Sequence, residues 1–383
     1  MKNKFLLALI LVISSLFALC ACGEKEKIPA KWTAEVDGAD FVIEFAEGQD
    51  IKVLQLTDLQ RYDWQKARSS GMRRNYREER ILKGLPDDQE LTIWRFVDEA
   101  VANSDPDLIV LTGDNISGAT DDNGEDWLYL INRMDSYGIP WLCLFGNHDN
   151  ESGKGVTWQV EQLMNSEYCI FAEGEVTGNS NYNVLIKQGD EYKYLFYLLD
   201  THGEEIGLHS MEEDNIDADK AFPMGLYDDQ IEWLKTSASD IYSQINAELP
   251  VLIFQHIQPI EYVYARQTQY PDTYLDNPFY ATREGDLGFS TGGIGGFDTQ
   301  GKYWAAAKEI GCVGMFMGHD HSTGVSIVYD GIRITFGMKS SLEAGIDPDL
   351  VGSTLITINE KDNSFNVEYH HTDIEFEYNE PTY

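Results

Sequence analysis

The feature that most constrains the fold of this 383-residue chain is an apolar segment of strand length that ends in polar residues, and it occurs five times. Val, Ile, Leu and Phe dominate these segments, as in strands that are buried on both faces of a sheet. The segments are residues 51–57, 108–112, 141–145, 251–255 and 313–317. The polar clusters that follow contain Asp58 and Gln60, Asp114 and Asn115, Asn147 and His148, His256, and His319 and His321.

Between these strands lie stretches with apolar residues at helical spacing, namely residues 90–103, 126–137, 229–245 and 300–310. Strands that alternate with helices predict an α/β fold. Ligands of such sheets bind beyond the carboxyl ends of the strands. We therefore expect the five polar clusters to converge in space, although they are spread from Asp58 to His321.

After Gly324 the pattern changes to alternating segments, which predicts a second sheet packed beside the first. These segments are residues 325–329, 332–336, 354–359, 364–369 and 373–378. The composition is 43% hydrophobic, which is enough for a large core, and we expect one compact domain over residues 48–383. Two insertions are expected within it, at about 61–88 and 262–300. The second is rich in Gly, Tyr, Asp and Asn, which predicts a surface loop.

The first 21 residues predict a signal peptide. Lys2 and Lys4 precede an apolar run over residues 5–19, which is too short for a comfortable transmembrane span. The run ends in Leu19, Cys20, Ala21 and Cys22, which resembles a bacterial lipobox with Cys22 as the lipid-bearing residue. Residues 22–47 would then form a tether and lead-in. The prediction is export, with membrane attachment through lipid on Cys22 at the extracytoplasmic face; a plain cleaved signal peptide is the alternative.

The charge balance argues against one class of partner. With 28 basic and 65 acidic residues the net charge is −37, and a grip on long nucleic acid needs a basic surface. One segment departs from this balance, since eight Lys and Arg lie between Arg61 and Lys83, directly after Asp58. The segment predicts either electrostatic steering of a phosphorylated substrate, with Arg61 as the candidate contact, or a solvated helix with acidic partners.

The polar clusters supply carboxylates, an amide and imidazoles, a donor set that suits Mn, Fe or Zn better than Ca or Mg. The candidate ligands are Asp58, Asp114, Asn147, His256, His319 and His321. Six ligands exceed what one tetrahedral ion uses. Two divalent or trivalent ions that share a bridging carboxylate are the economical interpretation.

The order of these motifs resembles that of calcineurin-like metallophosphoesterases, and in detail their purple-acid-phosphatase-like bacterial and fungal branch. The motifs are Asp58-Leu-Gln60, Gly113-Asp-Asn115, Gly146-Asn-His-Asp149, His256 and Gly318-His-Asp-His321. The resemblance covers about residues 48–340. It implies a four-layer α-β-β-α sandwich of two packed mixed sheets, with the active site at the C-terminal ends of the strands.

The resemblance also implies roles for single residues. Asp58, Asp114 and His321 would hold a first metal, and Asn147, His256 and His319 a second, with Asp114 bridging the two. A hydroxide between the metals would attack phosphorus in line. His148 would hydrogen-bond the phosphate or protonate the leaving oxygen. Asn115 and His202 are further candidates for substrate binding.

Two positions depart from the family pattern. Gln60 stands where many members have a His ligand of the first metal, so that either its amide oxygen ligates weakly or water fills the place. Ser117 stands where a subset has an Asp that pairs with the catalytic His and the purple enzymes have a metal-binding Tyr. A tyrosinate–iron site is therefore not expected, and what orients His148 is open.

The expected activity is hydrolysis of a small phosphate mono- or diester. One alternative is a phosphodiesterase that acts on nucleotides or phospholipid head groups. The other is a non-catalytic binding lipoprotein with a degenerate site, to which Gln60 gives some support. The sequence indicates neither the natural substrate nor an oligomeric state.

Overall fold

The computed structural model describes nine segments of the chain, and their strands form two sheets. The described residues are 31–33, 36–61, 88–117, 124–151, 154–203, 222–271, 278–291, 295–343 and 348–374. The predicted signal peptide, Cys22 and nearly all of the basic segment lie outside these residues.

The smaller sheet has the strand order β16-β15-β3-β4-β5-β6. Its strands are β3 (Ile51–Leu56), β4 (Leu108–Thr112), β5 (Trp141–Leu144), β6 (Cys169–Ile170), β15 (Gly352–Ile358) and β16 (Phe365–His371). Neighbours from β3 to β6 pair in parallel, whereas β15 pairs antiparallel to both β3 and β16. Every residue of β4 and β5 is buried, which explains why their sequences are apolar without alternation.

The larger sheet has the order β1-β2-β7-β8-β9-β12-β14-β13-β11-β10. Its strands are β1 (Lys31–Thr33), β2 (Phe41–Phe45), β7 (Tyr182–Gln188), β8 (Glu191–Leu199), β9 (Val251–Gln255), β10 (Phe279–Tyr280), β11 (Leu287–Ser290), β12 (Cys312–Met317), β13 (Thr323–Tyr329) and β14 (Ile332–Phe336). The central strands β8, β9, β12 and β14 are parallel, so their carboxyl ends share one edge of the sheet.

Helices cover the outer face of each sheet, and the inner faces meet. The helices are α1 (Arg95–Ser104, entered through a π-helical turn at Glu90–Trp94), α2 (Glu125–Asp135), α3 (Val156–Met164), α4 (Asp228–Ile245), α5 (Glu261–Gln269) and α6 (Lys302–Glu309). Apolar residues of α1, α2 and α3 join the core cluster of the smaller sheet. Those of α4 and α6 join a separate cluster on the larger sheet. The expected four-layer α-β-β-α arrangement is confirmed.

Strand β9 shows how period-two alternation builds these layers. Leu252 and Phe254 point into the cluster between the sheets, whereas Val251 and Ile253 point into the cluster under α4 and α6. Between the sheets, the Phe254 ring stacks on Phe316 at a centroid distance of 5.3 Å. The middle of β9 is therefore apolar on both faces, and the predicted ligand His256 follows the end of the strand.

The prediction of a separate C-terminal sheet is wrong. Strands β13 and β14 extend the larger sheet and β15 and β16 extend the smaller one, so the five metal-site strands are themselves divided between two sheets. The reason is that a strand can pair wherever an edge is free, and alternation in the sequence does not say which edge that is. Of the last predicted strand, residues 373 and 374 are not in a strand and 375–378 lie outside the described residues.

Two further boundaries differ from expectation. The segment 262–300 is not simply a surface loop, because it contains most of α5 together with β10 and β11, and Tyr262 and Phe279 are fully buried. In this Gly-rich segment the aromatic residues therefore indicate packing rather than exposure.

The folded domain also begins before residue 48, since β2 pairs in parallel with β7 inside the larger sheet.

Among the described residues, none of the helices has both the length and the apolar character that a membrane crossing requires.

Candidate metal centre

The loops after β3, β4, β5, β9 and β12 meet at one place, where the carboxyl edges of the two sheets adjoin. Backbone hydrogen bonds join neighbouring loops within each sheet. The Asp58 N–H donates to the Gly113 carbonyl (3.1 Å), and the Gly318 N–H donates to the His256 carbonyl (3.1 Å). Across the sheets, the His319 N–H donates to Oδ2 of Asp58 (3.0 Å), so the convergence predicted from the sequence is present, although the loops come from both sheets.

Several residues at these strand ends have left-handed backbone conformations, with φ of 54° at Asp58, 50° at Asp114 and 72° at His319. Such conformations cost about 1–3 kcal/mol each in a non-glycine residue and persist where the surroundings hold them. The sharp turns direct the side chains back across the ends of the strands.

Glycines allow the loops to approach. A Cβ on Gly146 would lie 2.3 Å from both the backbone N and Oδ1 of Asp114. One on Gly318 would lie 2.0 Å from Oγ1 of Thr57. Real Cβ atoms do not come this close to another atom, so only glycine fits at either position.

Asp58 forms one side of the site. Its Oδ1 lies 3.1 Å from Nε2 of His321, and its Oδ2 accepts hydrogen bonds from Oγ1 of Thr57 (2.7 Å) and from the His319 N–H (3.0 Å). Burial acts to raise the pKa of Asp58. The hydrogen bond and charge of His321, together with the charge of His256, outweigh burial, and the pKa lies well below its usual value. Asp58 is therefore a buried carboxylate anion.

Asp114 and His256 form the centre of the site. The Nδ1 of His256 lies 2.8 Å from the Thr112 carbonyl, which can only accept a hydrogen bond, so Nδ1 carries the proton. Nε2 then presents a lone pair 3.2 Å from Oδ1 of Asp114, and this buried nitrogen has no hydrogen-bond partner among the described residues. A lone pair that faces a carboxylate requires a cation between them or a proton on the nitrogen.

In the metal-free protein, a proton on Nε2 of His256 meets this requirement. Burial acts to lower the pKa of His256, but the negative charges of Asp114 and Asp58 raise it to about 9. With a metal bound, the same nitrogen would be a ligand. Atoms of Asp58, Asp114 and His256 that can ligate all lie within 4.8 Å of one another, which fits a metal centre.

Asn147 and His319 form the opposite side. Oδ1 of Asn147 lies 3.0 Å from Nδ1 of His319, and the His319 ring packs on His256 with centroids 5.2 Å apart. Burial and the charge of His256 lower the pKa of His319 to about 4, so its imidazole is neutral, which is the form that binds metals. The six predicted ligands are thus brought together.

Comparison with known proteins identifies the family of this site. The family model of the calcineurin-like phosphoesterases matches residues 51–322, which include all six predicted ligands. The chain belongs to the calcineurin-like phosphoesterase family.

Individual relatives are distant. A protein of Arabidopsis thaliana named probable inactive purple acid phosphatase 28 is 26% identical over 264 residues, which are 65% of this chain and 62% of the relative. An uncharacterised protein of Schizosaccharomyces pombe is 26% identical over 228 residues, 58% of this chain and 40% of that protein. The chain thus spans less than two thirds of the length of both. Among solved structures, a dimetal phosphatase from Danio rerio is similar at 13% identity and a TM-score of 0.45, covering 81% of this chain and 93% of that one.

Against the family pattern, the contacts of Gln60 are informative. Its Oε1 accepts a hydrogen bond from Nζ of Lys339 (3.0 Å), and its Nε2 donates to Oδ2 of Asp114 (3.2 Å). Of the two alternatives, weak ligation by this amide oxygen or water in its place, the contacts disfavour the first, because the oxygen is bonded to a lysine. Nζ of Lys339 also donates to the Asp58 carbonyl (2.7 Å), as does Oγ of Ser341 (2.9 Å).

Lys339 and Ser341 are site residues that the sequence reasoning missed. Burial lowers the pKa of Lys339 to about 8, against the opposing charges of Asp58 and Asp114, so it is mainly charged at neutral pH. A signal was available, because the polar residues after β14 repeat the pattern of a strand followed by a polar cluster. Since β14 is parallel to β12, its end lies at the same edge.

His148 adjoins the centre through its backbone. Its N–H donates to Oδ1 of Asp114 (3.0 Å), and the residue is half-buried. The next residue, Asp149, is buried and accepts hydrogen bonds from the N–H groups of Gly146 (2.7 Å) and Asn115 (2.8 Å). Asp149 therefore ties the loop after β4 to the loop after β5 and fixes the backbone that carries His148.

The three residues considered for substrate binding have partners within the protein. Asn115 donates from Nδ2 to the Leu144 carbonyl (3.0 Å) and to Asp149. Nε of Arg61 lies 3.0 Å from Oδ1 of Asp126, and its guanidinium stacks on the ring of Tyr129.

The third, His202, is buried, with Nε2 3.2 Å from Oε1 of Gln230. It lies beside the centre, because a Cβ on the next residue, Gly203, would be 3.1 Å from Cβ of Asn147. Substrate contact by these three residues stays a prediction.

Proposed function

We propose that this calcineurin-like phosphoesterase hydrolyses small phosphate mono- or diesters at a centre with two metal positions. The observation that carries the proposal is the approach of buried Nε2 of His256 to Oδ1 of Asp114 at 3.2 Å with no hydrogen-bond partner, an arrangement that a metal cation between the two would satisfy. Asp58, Asp114 and His321 would hold one ion, and Asp114, Asn147, His256 and His319 the other. The mixed nitrogen and oxygen donors suit Mn, Fe or Zn.

Bound ions would supply Lewis-acid activation of a water molecule and charge neutralisation at the phosphoryl oxygens. The chain supplies the geometry for this. Thr57 and the backbone N–H of His319 hold the Asp58 carboxylate in one orientation, and the Thr112 carbonyl fixes the tautomer of His256.

His148 is the group that we assign to the substrate. Its backbone is fixed by Asp114, and the residue is half-buried at the edge of the centre, where an imidazole can reach a bound phosphate. It would hydrogen-bond a phosphoryl oxygen or give a proton to the leaving oxygen. Such a group contributes about 10²–10⁴-fold to the rate.

The experiment is hydrolysis of a chromogenic monoester and a chromogenic diester by purified protein reloaded with Mn, Zn or Fe. His148→Asn should reduce turnover 10²-fold or more while metal content is unchanged, because the backbone hydrogen bond to Asp114 remains. His371→Asn, at an exposed position on β16, is the matched control. Turnover by His148→Asn equal to that of the control would remove His148 from the mechanism.

A non-catalytic binding function is the second candidate, and the Gln60 contacts favour it, because the amide oxygen is not offered to a metal. Two measurements separate the functions. If the protein only binds, the unmodified protein shows no turnover with any metal, and His148→Asn retains its affinity for a phosphate ester.

We also propose export and attachment to the membrane through lipid on Cys22, at the extracytoplasmic face. The support is the sequence alone, with an apolar run before Leu19, Cys20, Ala21 and Cys22. In a bacterial host, Cys22→Ser should move the protein from the membrane fraction to the soluble fraction. Unchanged membrane association of that variant would contradict the lipid anchor.

A further inference from the structure

The orientation of the Gln60 amide is fixed by chemistry. An ammonium group can only donate hydrogen bonds, so the amide atom 3.0 Å from Nζ of Lys339 is the oxygen. The other amide atom, which faces Oδ2 of Asp114 at 3.2 Å, is therefore the NH₂ donor. If the amide were rotated by 180°, its NH₂ group would face the Lys339 ammonium, donor against donor, and its oxygen would face the Asp114 carboxylate, acceptor against acceptor.

Lys339 is itself held in place. Its backbone bridges the end of β3 at Thr57 and the residue before β15, Val351. The side chain is 3% exposed, and Nζ donates to the Asp58 carbonyl as well as to Gln60. Burial and the second hydrogen bond therefore hold the ammonium group beside the Gln60 oxygen.

The consequence is an unequal number of ligands at the two metal positions. The first position has Asp58, Asp114 and His321, because Gln60 presents N–H groups to the centre instead of a lone pair. The second has Asp114, Asn147, His256 and His319. In addition, Lys339 places a buried positive charge beside Asp58 and Gln60, where it opposes a cation at the first position.

We propose that the Gln60–Lys339 pair makes the first metal position at least tenfold weaker than the second, so that the protein keeps one resident metal and takes up the other from its surroundings. The inference rests on the proposed metal centre and specifies how that centre is regulated. When the first position is empty, the Lys339 ammonium offsets part of the charge of Asp58 and Asp114. Occupancy of the first position would then follow the ambient metal concentration.

The test is a titration of the metal-free protein with Mn²⁺, followed by calorimetry and by electron paramagnetic resonance. Two unequal equivalents are expected. The first should give the six-line spectrum of an isolated Mn²⁺, and the second should convert it to the broadened signal of a coupled pair. Two equivalents of equal affinity would overturn the proposal while leaving the proposed function intact. No Mn²⁺ bound to folded protein would overturn both.

Two variants test whether the Gln60–Lys339 pair causes the difference in affinity between the two metal positions. Gln60→His supplies the missing imidazole and should tighten the weak equivalent 10–100-fold without changing the strong one. Lys339→Met removes the opposing charge and should also tighten the weak equivalent.

Each variant has a matched control. Gln188→His alters another buried glutamine, which bonds backbone carbonyls of the loop after β2. Lys193→Met alters another buried lysine, which bonds the Glu360 carbonyl. If Gln60→His and Lys339→Met leave the weak equivalent unchanged, or if the controls tighten it equally, the pair does not set the affinity.

Discussion

Nε2 of His256 lies 3.2 Å from Oδ1 of Asp114, while Nδ1 of the same ring is 2.8 Å from the Thr112 carbonyl. His256 follows β9 of the larger sheet, whereas Thr112 and Asp114 lie at the end of β4 in the smaller sheet, so one imidazole joins the two sheets at the carboxylate that both metal positions would share. Both residues are buried, so solvent does not reach this contact. The metal centre and the packing of the two sheets are therefore parts of one structure.

Asp114→Asn should abolish tight binding at both metal positions, because Asp114 is the carboxylate that both would share. We expect loss of bound Mn²⁺ by elemental analysis and a fall in kcat/KM of at least 10²-fold. Asp126→Asn, which alters a buried carboxylate paired with Arg61, is the control. Full metal content in Asp114→Asn would show that this residue does not bridge.

Chelation should lower the melting temperature. A ligand that binds only the folded state at a hundred times its Kd stabilises it by about 2.7 kcal/mol. Differential scanning fluorimetry before and after a chelator, with metal added back, measures the shift. An unchanged melting temperature after verified removal of metal would contradict a tightly bound resident ion.

In the metal-free protein, stability should depend on pH through His256. Its pKa is about 9 in the folded protein against 6.5 ordinarily, so the protonated form is favoured by folding. This stabilisation is fully present below about pH 6.5 and is lost as pH rises to about 9. Urea denaturation of the metal-free protein across this range should show the decrease, and His256→Gln should remove it. If His256→Gln leaves the pH dependence of the free energy of unfolding unchanged, other groups cause that dependence.

Gly146→Ala should weaken metal binding in the protein that folds. The added Cβ would lie 2.3 Å from both the backbone N and Oδ1 of Asp114, so the loop that carries this carboxylate must shift. Gly295→Ala is a suitable control, because its Cβ would meet nothing within 4 Å. Calorimetry with Mn²⁺ should show the loss for Gly146→Ala only, and equal affinities for the two variants would contradict the steric account.

Phe254→Ala should destabilise the domain by about 3–5 kcal/mol, the usual cost of removing a buried Phe side chain. Phe254 is fully buried between the sheets and packs on Phe196 and Phe316, each at 5.3 Å between ring centroids. Val328→Ala, at a 39% exposed position, should change the free energy of unfolding little.

The sequence predicts the strands that carry the site well, because β4 and β9 are apolar runs with polar residues at their ends. It does not predict the distribution of strands between sheets. Residues 251–255 look like residues 108–112 in sequence, yet they belong to different sheets, since pairing depends on long-range contacts that alternation does not encode.

The convergence of the six predicted ligands could be predicted because each follows a strand, whereas the contacts of Gln60 could not. Its departure from the family pattern is visible in the sequence, but its partner, Lys339, lies 279 positions away. Only the fold shows that the end of β14 adjoins the end of β3. The signal available in the sequence was the polar cluster after β14, which contains Lys339 and Ser341.

The most direct test of the central claim is phosphoester hydrolysis by one folded sample in three states: as purified, after chelation, and after metal is added back. The account predicts turnover that disappears with the chelator, returns with Mn, Zn or Fe, and falls at least 10²-fold in His148→Asn. Turnover that persists without metal would contradict the metal centre as the site of hydrolysis. No turnover with any metal, in protein that binds metal, would contradict the enzyme and favour the binding function.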